Sequence, residues 1–188
     1  MVPGNLLLTL LGTGMLWVGW FGFNGGSAAA AGAGAAFANL VTHLSASMAG
    51  LVWLLLDYQE TGKTSAIGLC TGAVAGLAAI TPAAGSVGPL GAILIGALSS
   101  VICRFASTTV KEKLGYDDSL DVVGVHGVGG LVGTLALAVF GLHLAFLGAM
   151  VARTAPASGA LKDGEAAALL DESRKAGAFT RAVYGIDS

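Results

Sequence analysis

Charged side chains are scarce in this chain, which has 9 Lys or Arg, 11 Asp or Glu and a net charge of −2 over 188 residues. None occurs in residues 1–56, 64–103 or 122–152. An average soluble domain is about a quarter charged, and a surface that binds nucleic acid needs a basic patch. The sequence therefore excludes an ordinary soluble domain, and no nucleic-acid partner is predicted.

Cysteine and cationic N-terminal residues are few as well. Cys70 and Cys103 both lie in apolar runs, which excludes a secreted disulfide framework and a cysteine metal cluster. Residues 1–56 lack the positive segment of a cleavable signal peptide. No cofactor and no metal site are predicted. The hydrophobic run begins almost directly after Met1, and this abrupt start predicts a missing beginning.

Apolar residues are abundant, at 55% of the sequence, together with 30 glycines. A membrane crossing needs about 20 residues, so the charge-free blocks predict spans. The predicted spans are residues 6–23, 28–56, 65–80, 90–106 and 119–142, followed by a short apolar segment at 142–152 that is marginal for a sixth. The predicted fold class is an all-α integral membrane bundle of about five to six transmembrane helices. Residues 1–152 form its transmembrane domain, and residues 153–188 form a polar cytoplasmic tail that is expected to be poorly ordered.

Cations set the predicted orientation. Before residue 153, every Lys and Arg lies in segments 57–63 and 104–118, which are predicted to be cytoplasmic loops. The uncharged segments 24–30 and 81–89 are then predicted to face outside. Spaced glycines predict close approach of helix backbones in two places: Gly72 with Gly76, and Gly127, Gly129, Gly130 and Gly133.

His126 lies in the middle of the predicted fifth span, inside a glycine-rich run. Three carboxylates precede it: those of Asp117, Asp118 and Asp121. An ionisable side chain inside a membrane is energetically expensive and usually functional, so His126 is predicted to line a pore or an active site. A packing histidine with satisfied ring nitrogens is the alternative. His43, which has hydroxyls nearby, and His143, near a predicted membrane surface, are predicted to be structural.

An aromatic cluster ends the first predicted span: Trp17, Trp20, Phe21 and Phe23. Such a cluster is typical of the interfacial belt that anchors membrane helices. The functional alternative is a pore mouth, where ring faces attract a desolvated small cation by about 2 kcal/mol or more. The oxygens of Asn24 and Ser27 would then accept hydrogen bonds from that cation.

One enzymatic alternative uses Ser27 and His126 as a nucleophile and its base. The spacing of His126, Gly129 and Gly133 is found in rhomboid intramembrane proteases, and the GGSA run at 25–28 is similar to their serine motif. Rhomboids, however, place the serine and the histidine two spans apart, whereas four predicted spans separate them here.

Three blocks of the sequence resemble the ammonium transporter family. They read WVGWFGFNGGS at 17–27, AGLAAITPAAG at 75–85 and DDSLDVVGVHGVGG at 117–130. They occur in the family's order and spacing, and the similarity covers about residues 4–142. The runs LLDY at 55–58 and GYDD at 115–118 are similar to fungal ammonium permeases.

The resemblance implies a particular fold and assembly. Family members have eleven spans, arranged as two five-span halves of inverted topology and a last helix, and they assemble as trimers with one pore in each subunit. This chain is similar to the sixth to tenth spans. The resemblance therefore identifies it with the second inverted half-repeat, the C-terminal half only.

The resemblance also implies roles for individual residues. His126 matches the second of two pore histidines, which relay or accept the proton as ammonium is deprotonated. Phe23 matches one of the phenylalanines that gate the outer mouth, and Ser27 matches the serine that helps hold ammonium at the outer recruitment site. Four further residues are expected near the pore, the last two with structural roles: Trp20, Thr81, Asp121 and Asn24.

The implied function is transmembrane ammonium transport. Ammonium is recruited at an aromatic outer mouth and deprotonated, and ammonia passes along a hydrophobic pore with histidine-assisted proton handling. The implied partners are ammonium or ammonia as substrate, the lipid bilayer, and either a homotrimer or full-length transporter subunits. A plasma-membrane location and no enzymatic activity are expected. Since the first half's pore residues have no match here, the chain is expected to be a fragment with incomplete transport. The alternative is a non-conducting fragment that modulates full-length subunits.

Overall fold

The computed structural model describes residues 4–140, in which helices are joined by short connectors. Five helices are long and apolar enough to cross a membrane: α1 (Leu6–Gly26), α2 (Ala33–Thr61), α3 (Ala66–Ala83), α4 (Pro89–Leu114) and α5 (Val122–Phe140). The predicted all-α integral membrane bundle is thus confirmed. The short segment at 142–152, the tail at 153–188 and His143 lie outside the described residues, and what was predicted of them stays a prediction.

Local capping explains where several helices begin and end. The Leu8 N–H donates to the Asn5 side chain at 3.1 Å, and the Gly68 N–H donates to the Ser65 hydroxyl at 3.2 Å. Each cap satisfies an amide that has no partner within its own helix. Gly62 follows the end of α2 with a φ of 69°, a left-handed conformation that glycine adopts without steric cost.

The helices α2, α3 and α4 meet at Ser45, which is fully buried. The Ser45 hydroxyl donates to the Gly76 carbonyl at 2.9 Å. A Cβ on Gly76 would lie 2.6 Å from the Ser45 carbonyl oxygen, and a Cβ on Gly96 would overlap the same oxygen. Because these positions are glycines, the three helices touch through their backbones.

The predicted close approach at glycines is correct at some positions and wrong at others. At Gly72, Gly76 and Gly133, an added Cβ would collide with the backbone of a neighbouring helix. Within residues 4–140, nothing lies within 4 Å of such a Cβ at Gly130. That prediction is therefore wrong at Gly130, which faces open space, and at Gly127, where the one described atom within 4 Å is the Val122 oxygen of the same helix.

A charged cluster joins one end of α2 to α4. The Arg104 guanidinium donates to Asp57 Oδ1 from Nε at 3.3 Å and from Nη2 at 3.2 Å, and it also donates to Glu60. Both helices continue past their predicted ends. α2 extends to Thr61 and α4 extends to Leu114, so the prediction that loops begin at residues 57 and 104 is wrong.

Two helices begin later than predicted. α2 starts at Ala33 instead of residue 28, because Ala29 has a positive φ of 55°. α5 starts at Val122 instead of residue 119, because Asp121 has a positive φ of 52°. A left-handed backbone at a residue with a Cβ is uncommon and interrupts a right-handed helix.

Candidate functional site

Trp20 of α1 is held in one orientation by two consecutive hydrogen bonds. Its indole N–H donates to Thr81 Oγ at 2.8 Å, and the Thr81 hydroxyl donates to the Leu77 carbonyl at 2.8 Å. Thr81 lies in the last turn of α3, one turn after Leu77. An indole needs an acceptor for its N–H when it leaves water, so this bond fixes the Trp20 ring against α3.

Two aromatic rings flank Trp20. The His126 ring of α5 lies 6.1 Å from the Trp20 ring between centroids, at an interplanar angle of 36°. Phe23 lies 6.2 Å from Trp20 in an edge-to-face arrangement at 71°. Aromatic rings interact at centroid separations of about 4.5–7 Å. The structure thus brings together four of the predicted site residues: Trp20, Phe23, Thr81 and His126.

This ring cluster lies on an open face of the bundle. His126 is exposed, and Phe23 is 62% exposed. An apolar groove of about 600 Å³ runs along α1 beside them, lined by Gly12, Met15, Leu16, Gly19, Trp20 and Phe23. An imidazole that faced lipid would have no partner for its ring nitrogens. The face is therefore suited to cover by further protein instead of hydrocarbon.

The two polar residues next to Phe23 differ in their surroundings. Ser27 is exposed, lies one turn after Phe23 and donates to the Phe23 carbonyl at 2.8 Å. Its hydroxyl oxygen keeps its capacity to accept hydrogen bonds. Asn24 is 5% exposed, and its side-chain N–H donates to Thr42 Oγ at 2.9 Å. Asn24 therefore joins α1 to α2, while Ser27 is accessible near the ring cluster.

His43 belongs to a separate aromatic group. Its ring centroid lies 5.4 Å from Trp17 and 6.1 Å from Phe21, both on α1. The Trp17 indole N–H is buried and has no hydrogen-bond partner among the described residues. The rings of Trp17 and Phe21 contact His43, whereas the Trp20 ring contacts His126. His43 and His126 therefore contact different parts of α1.

The first turn of α5 carries His126 and has π-helical geometry over Val122–Gly127. The carboxylate of Asp118 accepts hydrogen bonds from three amides of this turn: Val122 at 2.8 Å, Val123 at 2.9 Å and Gly124 at 3.4 Å. Asp118 is 9% exposed, so these bonds are shielded from water. A buried carboxylate at the start of a helix satisfies amides that would otherwise lack acceptors.

Asp121, which was predicted near the pore, is paired with a lysine of α4. The Lys111 ammonium donates to Asp121 Oδ1 at 2.7 Å and to the Asp118 backbone carbonyl at 2.6 Å. This pairing ties the end of α4 to the start of α5. Sequence reasoning assigned no role to Asp118 or Lys111. The available signal was an acidic residue just before an apolar helix, which is typical of an N-terminal cap.

The ring cluster has a definite chemical capacity. Aromatic faces attract small cations, and a neutral imidazole accepts or donates a proton near neutral pH. With five helices that are long and apolar enough to cross a membrane, these features belong to a polytopic α-helical membrane protein. Its residues 1–175 match the family model described as Ammonium Transporter Family. The chain belongs to the ammonium transporter family, as the sequence blocks predicted.

Known relatives agree with this family. The chain is 49% identical over 140 residues to "Ammonium transporter" of Aquifex aeolicus, which covers 74% of this chain and 33% of that protein. It is 50% identical over 138 residues to "Ammonium transporter 1" of Schizosaccharomyces pombe, which covers 73% of this chain and 28% of that protein. The crystal structure of Saccharomyces cerevisiae Mep2 is similar at a TM-score of 0.67 and 41% identity, which covers 71% of this chain and 31% of that one. The chain thus spans about a third of the length of the relatives it matches.

Proposed function

We propose that this chain takes part in transmembrane ammonium transport and that Trp20, Phe23 and His126 line part of the path. The observation that carries the proposal is the pairing of the His126 and Trp20 rings, 6.1 Å apart, on an exposed face of a membrane bundle. The relatives named above are ammonium transporters, which supports ammonium as the substrate.

Phe23 and Ser27 are proposed to recruit ammonium at the outer end of the path. The exposed Phe23 ring offers a π face, and such a face attracts a desolvated cation by about 2 kcal/mol or more. Ser27, one turn further along α1, offers a hydroxyl oxygen to an ammonium N–H. Potassium has no N–H to donate, so this oxygen favours ammonium through hydrogen bonding.

His126 is proposed to handle the proton that ammonium loses. Moving an unpaired ion from water into hydrocarbon costs tens of kcal/mol by Born solvation, whereas neutral ammonia avoids that cost. A neutral imidazole has one ring nitrogen that accepts and one that donates, which suits it to take up or relay the proton. The bond from Trp20 to Thr81 keeps the indole beside this imidazole and keeps the wall of the path apolar.

The proposal includes a second helical half that closes the groove along α1. In transporters built from inverted repeats, the substrate path lies between the two halves. The outward side chains of α1 are large, apolar and exposed by 65–76%: Leu7, Leu8, Met15 and Val18. We propose that this face packs against further transporter helices, in a homotrimer or in an assembly with full-length subunits, at the plasma membrane.

Methylammonium uptake tests the proposal in cells stripped of their own ammonium transporters. The first half of a full-length ammonium transporter is coexpressed with the chain as it stands, with His126→Ala, or with the matched control His43→Ala, whose histidine contacts Trp17 instead of Trp20. Saturable uptake is expected for the chain and for the control and should be lost in His126→Ala. Equal uptake in all three would contradict the site.

The same assay separates transport from the alternative role. No uptake by a chain that is present in the membrane would contradict conduction by this chain. It would favour a non-conducting fragment that modulates full-length subunits. Co-purification with a full-length subunit, without added flux, would establish that role.

A further inference from the structure

The position of the His126 ring depends on the unusual register of one helical turn. Val122–Gly127 form a π turn, in which an amide bonds to the carbonyl five residues before it. Such a turn holds one more residue than an α-helical turn, and each residue of an α-helix turns the chain by about 100°. His126 is the fifth of the six residues in this turn, so relaxation of the turn to α-helical geometry would change the orientation of its side chain relative to the rest of α5.

The rest of α5 rests on α3 and leaves no room for the helix to follow such a rotation. A Cβ on Gly133 would overlap the Ala79 carbonyl oxygen, and one on Gly129 would lie 3.5 Å from the Ala75 carbonyl oxygen. Because these contacts are between backbones, they fix the rotation of α5 about its axis. A change in the hydrogen-bond register of the first turn would therefore change the orientation of the His126 side chain and move its ring away from Trp20.

The π turn is held by contacts from outside the turn. The Asp118 carboxylate accepts the Val122 and Val123 amides at 2.8 Å and 2.9 Å. Cys103 of α4 donates from its thiol to the Val125 carbonyl at 3.8 Å. The Asp118 contact is the stronger of the two, because a carboxylate oxygen is a better hydrogen-bond partner than a thiol.

We propose that Asp118 is a positioning residue, whose carboxylate holds the first turn of α5, Val122–Gly127, in place and thereby keeps the His126 ring against Trp20. The neighbouring acids have other partners: Asp121 pairs with Lys111, and Asp117 accepts from the Ser119 hydroxyl at 2.9 Å. The effect of Asp118 on transport rests on the proposed function of His126. The effect of Asp118 on the position of the His126 ring does not rest on that proposed function.

Tryptophan fluorescence measures that ring position directly. With Trp17→Phe and Trp53→Phe, Trp20 is the remaining indole, and the indole beside His43 is gone. A protonated imidazole in ring contact quenches indole emission, so acidification of the purified chain in lipid should dim Trp20. His126→Ala removes this response and defines its amplitude.

Asp118→Asn is expected to lose most of the acid quenching. The amide is similar in size, but its NH₂ group cannot accept a hydrogen bond from a backbone N–H. Asp117→Asn is the matched control, since Asp117 is exposed and its described partner is the Ser119 hydroxyl. The control should keep the full response. A folded Asp118→Asn chain with unchanged quenching would overturn the proposal.

A further variant and the uptake assay provide two more tests of the proposal. If Asp118→Asn does not fold, Lys111→Met removes the donor to the Asp118 carbonyl and should lower the quenching in part. Full quenching in that variant would overturn the proposal. In the uptake assay, Asp118→Asn should lower maximal uptake towards the His126→Ala level. If Asp118→Asn alters quenching while His126→Ala leaves uptake intact, the proposed function is wrong and the positioning role stands.

Discussion

Replacement of Gly76 by alanine should loosen the contact at which α2, α3 and α4 meet. An ideal Cβ at Gly76 would lie 2.6 Å from the Ser45 carbonyl oxygen, 2.7 Å from the Ala49 Cβ and 2.9 Å from the Ala46 Cα. Cβ atoms essentially never lie within 3.0 Å of other heavy atoms in this way. These neighbours are backbone and Cβ atoms, so no rotamer change relieves the overlap, and the helices must separate.

The structure sets the size of the effect. Ordinary contact begins at 3.4 Å, so a Cβ at 2.6 Å requires a separation of roughly 0.8 Å. Overpacking of this kind costs about 1–3 kcal/mol, and the better helix propensity of alanine returns about 0.8–1 kcal/mol. The Ser45 hydroxyl bond to Gly76 would be strained too, and such interhelical bonds contribute about 0.6 kcal/mol. The expected net loss of unfolding free energy is about 0.6–2.8 kcal/mol.

Unfolding by SDS in mixed micelles, followed by far-UV circular dichroism, measures this loss. Gly130→Ala is the matched control, because a Cβ at Gly130 has no described neighbour within 4 Å and gains helix propensity alone. The control should be unchanged or slightly more stable. If Gly76→Ala unfolds at the same SDS fraction as Gly130→Ala, the backbone contact does not limit the packing, and the reasoning is refuted.

Two further predictions use the same unfolding measurement. Arg104→Lys keeps the charge but loses the two-nitrogen contact with Asp57, so it should lower the unfolding free energy by about 1–2 kcal/mol; wild-type stability in Arg104→Lys would contradict that role. Thr81→Val should lower the unfolding free energy by about 1–2 kcal/mol more than Thr134→Val, because both lose a hydroxyl bond to their own helix and Thr81 also loses the Trp20 N–H. Equal losses in both variants would show that the indole finds another partner.

The approximate positions of the five described spans could be predicted because hydrophobic length and absence of charge are local properties of a sequence. The ends of α2 and α4 could not be predicted from the sequence. Asp57 and Arg104 were predicted to be loop residues because charged residues usually lie outside the membrane. In the structure they are helical and form an ion pair across 47 positions of the sequence. The partner of a charge at such a distance is a property of the fold.

The candidate site, too, could be predicted only in part from the sequence. The family motifs identify Trp20, Thr81 and His126 as site residues. The hydrogen bond between Trp20 and Thr81, however, joins residues 61 positions apart and is seen only in the structure. The sequence does not distinguish Asp118 from Asp121, since both are acids just before an apolar run. The π turn that follows has no hydrophobic periodicity by which it could be recognised in the sequence. The choice of which carboxylate supports the turn depends on backbone geometry that pattern reasoning does not contain.

The backbone contact at Ser45 also determines which part of the bundle is able to move. Since α2, α3 and α4 meet there without side chains that change rotamer, they form a stiff unit. α1 is joined to that unit by the two described side-chain hydrogen bonds from Trp20 to Thr81 and from Asn24 to Thr42. A small tilt of α1 would change the separation of the Trp20 and His126 rings while the stiff unit stays unchanged. The position of α1 on the stiff unit is then set by these two hydrogen bonds together with the ring contacts of Trp17 and Phe21 with His43.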